Sequence, residues 1–113
     1  MLVSAKKLEI YETKDGKRPF EDWLNSIKDS RTQARIEVRL SRVALGNFGD
    51  CKSIGAGIFE LRLHFGSGYR VYVGQDGDTL VILLSGGDKR SQESDIATAQ
   101  KLWGEYNADR TVS

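Results

Sequence analysis

Residues Thr79 to Ser85 read TLVILLS, with no polar residue between the two ends of the run. A strand with one wet face alternates apolar and polar side chains, so an unbroken apolar run of this length belongs to a strand covered on both faces. The chain must therefore build a sheet and supply apolar elements to lie against it. The segments just before this run do alternate. Phe59, Leu61, Leu63 and Phe65 fall on one face, and Glu60, Arg62 and His64 on the other. Gly66-Ser67-Gly68 then turns the chain into a second alternating run, with Tyr69, Val71 and Val73 on the apolar side and Arg70 and Tyr72 opposite. A tight loop at these glycines predicts His64 across from Arg70 and Arg62 across from Tyr72. One face of the hairpin is core, and the other is cationic and aromatic.

The remaining chain supplies the cover. Leu8 to Tyr11 alternates weakly and is read as a short first strand, broken by the polar turn Lys14-Asp15-Gly16-Lys17. Pro19, the only proline, suits the first turn of a helix whose buried face carries Phe20, Trp23, Leu24 and Ile27. Ser30 with Gln33 predicts a capping box for a second helix running to about Leu45, with Ile36, Leu40, Val43 and Ala44 as its stripe. Asn47 to Gly57 reads as a glycine-rich connection. Ser91 is the expected cap of a last helix, with Ile96, Ala99, Leu102, Trp103 and Tyr106 on one stripe, before a frayed tail from Asn107 to Ser113. The expectation is one α+β domain over residues 1–113, ordered β-α-α-β-β-β-α, with a mostly antiparallel four-stranded sheet.

Composition narrows the function. A formal net charge of +1 does not mark a bulk polyanion binder, so any such site rests on local clustering. Arg31, Arg35, Arg39 and Arg42 recur along the second helix, a row that fits a nucleic-acid backbone or a solvated face paired with acidic groups. One cysteine, Cys51, permits no internal disulfide, and it stands in a loop without a histidine near it in sequence. One histidine, one cysteine and scattered carboxylates offer no metal-ligand set at useful spacing, and no cofactor motif is present. The N-terminal apolar stretch is too short for a signal peptide and no window approaches a membrane span, so a cytoplasmic protein without a membrane partner is expected.

Three motifs in order carry a family resemblance. Gly57-Ile58-Phe59-Glu60-Leu61-Arg62 matches G-x-x-E-L-R, Gly66 to Arg70 matches G-x-G-Y-R, and the last strand closes in Gly86-Gly87-Asp88-Lys89. The set resembles the RelE/ParE toxin superfamily of type II toxin–antitoxin systems, nearest to its HigB-like addiction-module killer proteins. The resemblance implies a small antiparallel sheet with a helical hairpin, and a metal-independent endoribonuclease that cuts mRNA on the ribosome. It also implies a cognate antitoxin as partner, of a helix-turn-helix, HigA-like kind. Arg62 and Arg70 match the positions of the family's functional arginines, and Lys89 the basic position after the last strand, with Arg90 its neighbour in that role. The same superfamily holds ParE-like gyrase poisons, and a relative that only binds its antitoxin is a third class.

In such a cleavage the RNA 2′-hydroxyl attacks the adjacent phosphate. The protein must move two protons and stabilise an added negative charge. Arg62 and Arg70 suit the charge, because the guanidinium fork meets two phosphate oxygens at once. Lys89 or His64 is the expected proton shuttle, although His64 also suits a structural ion pair on the strand face. Lys52 is a candidate secondary phosphate contact. Tyr72 is either a base-stacking ring or a packed sheet tyrosine.

Overall fold

The computed structural model describes residues 5–111. Along the chain it has β1 (Lys7–Ile10), α1 (Pro19–Ser26), α2 (Ser30–Ala44), β2 (Cys51–Gly55), β3 (Ile58–Arg62), β4 (Arg70–Asp76) and β5 (Leu80–Gly87). A 3₁₀ turn (Lys89–Ser91) then leads into α3 (Gln92–Thr111). The sheet runs in the order β1-β5-β4-β3-β2, with β1 parallel to β5 and the other pairs antiparallel.

The class is α+β as expected, but the sheet has five strands where four were predicted. The addition is β2, which lies in the segment read as a connection. It is an edge strand bonded to β3 alone, and its burial follows no strict alternation. Backbone pairing needs no hydrophobic pattern, so an exposed edge leaves little trace in composition. Gly55, Ala56 and Gly57, all with positive φ, turn β2 into β3.

The apolar run behaves as its composition requires. Val81 and Leu83 of β5 enter one core with Phe20, Ile36, Leu40 and Val43 from the helical pair and Leu61, Leu63, Val71 and Val73 from the hairpin. Ile82 and Leu84 point the other way, into a second core with Tyr11, Ile58, Tyr72, Ala99, Leu102 and Trp103. The sheet is thus covered on both faces, and α3 lies on the face read from sequence as cationic surface. Ile36 and Val43 are fully buried, each a contribution of about 1.5–3 kcal/mol from removing apolar area from water.

Four local expectations change. The β3–β4 register pairs Arg62 with Arg70 and Glu60 with Tyr72, two residues away from the predicted pairing. The loop is wider than its glycines suggest, closed by Leu63 N–H donating to the Tyr69 carbonyl at 2.9 Å. A slip of two keeps every side chain on its predicted face. Helix α2 is capped by Asp29, which accepts from the Arg31 N–H at 3.0 Å, whereas Gln33 donates to the carbonyls of Leu24 and Ile27 and ties α2 to the end of α1. Asp88 caps the 3₁₀ turn with Ser91 as its reciprocal partner, and α3 continues through most of the predicted tail, where Arg110 pairs with Asp76 at 2.9 Å. Residues 112 and 113 lie outside the described residues.

Each helical layer seats one tryptophan on a strand glycine. A Cβ at Gly86 would fall 2.2 Å from Trp23 of α1, and a Cβ at Gly74 would fall 2.3 Å from Trp103 of α3. No real Cβ tolerates such an approach, so either glycine gaining a methyl group must push an indole off the sheet. Gly74→Ala and Gly86→Ala are each expected to lower unfolding free energy by about 1–3 kcal/mol, read from the urea midpoint. An unchanged midpoint would show that the tryptophan shifts without loss.

Candidate functional site

Antiparallel pairing brings three chain positions to one end of the sheet. Arg62 ends β3, Arg70 opens β4 directly opposite, and Gly87 closes β5 beside Arg70. Two like charges facing each other across a ladder repel. The relief comes from Glu60, two residues before Arg62 on the same face and fully buried. Its carboxylate accepts from Gln92 Nε2 at 2.9 Å, Tyr72 Oη at 3.1 Å and Arg62 Nε at 3.2 Å, and lies 3.7 Å from Arg70 Nε. Arg70 is held further by donating from Nη1 to the Gly68 carbonyl at 3.1 Å.

The electrostatics follow from this arrangement. Burial pushes the Glu60 carboxyl up, but the hydrogen bonds from Gln92, Arg62 and Tyr72 and the charge of Arg70 together outweigh it, so Glu60 titrates below the usual range. Tyr72 is pushed well above the usual phenol range, first by burial and then by the Glu60 charge. It stays a neutral donor.

Lys89 joins from the turn after β5. Its Cβ stands 3.3 Å from where a Cβ on Gly68 would be, a tight approach, and the φ of +75° at Gly68 favours glycine where the loop lies against this turn. Arg62, His64, Arg70 and Lys89 line one cleft of about 420 Å³, together with the loop between β3 and β4. Arg70 is largely sunk, with 14% of its side chain exposed, whereas Arg62 has 35% exposed and Lys89 is open. His64, just beyond the end of β3, is held by Asp50 at 2.5 Å.

The structure thus brings together four of the predicted residues and separates three. Tyr72 is buried with its hydroxyl on Glu60, leaving no ring face for a base. Arg90 turns to Asp88 at 3.5 Å and does not line the cleft. Lys52 pairs with Glu60 across the β2–β3 ladder but is exposed at the sheet edge, outside the cleft. Glu60 shares its predicted face with both Arg62 and His64. Arg62 is its partner, and His64 takes Asp50 instead. Gln92 and Asp50 were missed: they lie 32 and 14 residues from the groups they hold, with no motif to link them.

A cleft with three cations above one buried carboxylate is suited to hold a phosphate group. Over residues 22–103 the chain matches the family described as phage derived protein Gp49-like (DUF891). It belongs to that family. The match spans β2 to β5 and every side chain of the cleft. Over 83 residues, 74% of this chain and 84% of the other, it is also 51% identical to an uncharacterized protein of Haemophilus influenzae. The Gp49-like family is a RelE/HigB-like toxin family of toxin–antitoxin systems, so the motif resemblance holds at that level. Among the described residues of this Gp49-like chain, no three His, Cys, Asp or Glu side chains group as a metal site, and no helix is long and apolar enough to cross a membrane.

Because the Glu60 carboxyl is depressed in the folded state, its contribution to stability is present above the usual carboxylate range. It is lost as pH falls from about 4.3 through the lower folded value. Glu60→Gln is expected to lower Tm at neutral pH and to flatten the fall in Tm below pH about 4.3. Parallel acid limbs in the two proteins would overturn the assignment.

Proposed function

We propose that this Gp49-like protein is the toxin of a toxin–antitoxin pair and arrests translation by cutting mRNA on the ribosome. The observation that carries the reading is the convergence of Arg62, Arg70 and Lys89 on one cleft at the end of the sheet, with His64 at its rim. The three motifs that resemble RelE/HigB toxins contribute those same arginines and that lysine.

Arg62 and Lys89 present the exposed charges and take the phosphoryl oxygens, where they meet the negative charge that grows in the transition state. Arg70, mostly buried and bonded to the loop, adds fixed positive potential behind them. His64 accepts the 2′-hydroxyl proton, with Asp50 fixing the orientation of its ring. The 2′-oxygen then attacks the adjacent phosphorus as the P–O5′ bond breaks. The departing 5′-oxygen takes a proton from water, and the resulting hydroxide is neutralised by the proton His64 has accepted. The products are a cyclic phosphate and a new 5′-hydroxyl. A cognate antitoxin neutralises the protein in the cytoplasm.

The fold alone does not choose between cutting RNA and poisoning gyrase. Mapping transcript 5′ ends after induction separates them. The wild type is expected to create new ends within coding regions and to stop growth. Loss of either arginine lowers the cleavage rate on the order of 10²-fold, and Arg62→Ala with Arg70→Ala abolishes both effects. Growth arrest that persists in the double variant, or DNA breaks with intact transcripts, would overturn the proposal.

A further inference from the structure

A second groove, of about 540 Å³, runs along α2 and opens into the first. The two share four consecutive residues, Arg62, Leu63, His64 and Phe65. The α2 wall carries Arg35, Val38, Arg39 and Arg42, so the arginine row of the sequence is divided: three of the four line the groove, Arg39 among them tied back by donating to the Asp50 carbonyl at 3.0 Å, and Arg31 does not line it. Arg35 and Arg42 are exposed. Asp50 is the single carboxylate among the lining residues, and its side chain is taken by His64.

Two details suit a nucleotide strand. The Arg35 guanidinium lies 4.0 Å over the Phe65 ring, which holds the charged plane flat on its inner side and leaves the outer side accessible. A guanidinium held in this way is a platform for a base. Val38, at 54% exposure, places apolar surface one helical turn along from Arg35 and beside Arg42. Backbone charge with flat stacking surfaces is the combination that binds single strands without reading their sequence.

We propose that the groove on α2 is a second nucleotide-binding site: the RNA chain passes from the cleft over His64 into it, a base stacks on Arg35, and Arg42 meets the following phosphates. The proposal rests on the RNA reading of the cleft and extends the footprint from the scissile phosphate to several nucleotides. Positive charge suits either a nucleic-acid strand or an acidic helix; the wall shared with the cleft and the flat Arg35–Phe65 stack choose the strand. A strand leaving Arg62 enters the groove without crossing any other surface.

The test uses 2′-O-methyl oligonucleotides, which cannot be cut, titrated against the full chain by fluorescence anisotropy. The wild type is expected to bind a strand of about ten nucleotides more tightly than a trinucleotide. Arg35→Ala with Arg42→Ala, both on the surface, removes that gain and leaves trinucleotide affinity unchanged. Its dependence of log affinity on log salt flattens by about 0.7 for each phosphate no longer neutralised. Arg62→Ala weakens both lengths. A double variant that keeps the length gain and the wild-type salt slope overturns the proposal. So does one that binds RNA normally but escapes neutralisation by a co-expressed acidic partner, which would assign the groove to protein. Cleavage is not scored, so length-dependent binding through these arginines by a protein that leaves ribosomal mRNA intact supports the groove and overturns only the nuclease reading.

Discussion

Two arginines facing each other across a β-ladder are held in place by one buried carboxylate. Glu60 neutralises the repulsion between Arg62 and Arg70, and the two arginines in turn make its burial tolerable, since an unpaired carboxylate in the core is costly. Tyr72 and Gln92 complete its coordination. Because Gln92 is the first residue of α3, docking that helix and ordering the arginines are one event. The second core and the cationic end of the sheet therefore depend on the same contact.

This coupling explains how a chain with a net charge of +1 carries a concentrated cationic site. Charge is distributed by partner rather than by count. Arg18, Arg90 and Arg110 are each engaged by a nearby acid, while no carboxylate is among the residues that line the cleft and Glu60 is buried behind Arg62 and Arg70. Antiparallel topology does the gathering. The end of β3, the start of β4 and the end of β5 lie side by side, so residues far apart in the chain reach one cleft without a long excursion.

Membership of the Gp49-like family agrees with this geometry at the level of a RelE/HigB-like toxin family. The proposed chemistry rests on the cleft itself: exposed cations for charge, an imidazole braced by Asp50, and a buried arginine behind them. The strand path proposed along α2 belongs to the same frame, because its groove shares Arg62 to Phe65 with the cleft.

Periodicity was sufficient for the hairpin faces, the doubly buried β5 and the helical stripes, because those patterns follow from which side of an element meets water. The residues Arg62, His64, Arg70 and Lys89 were legible for the same reason, as polar positions at strand ends near glycine turns. Four features required the fold. The edge strand β2 is made by backbone bonds to its neighbour, which no side-chain pattern records. The register is set by how far the 63–69 loop opens, and a slip of two leaves the pattern unchanged. The covering of the second face depends on where α3 lands, and this buries Tyr72 and gives Glu60 its donor from Gln92. The caps at Asp29 and Asp88 lie one and three residues before the expected serines, the second because a 3₁₀ turn capped by Asp88 precedes α3. Local sequence determines which face of each element is apolar. Only tertiary packing decides which polar groups meet across elements, because those contacts join residues that are distant in the chain.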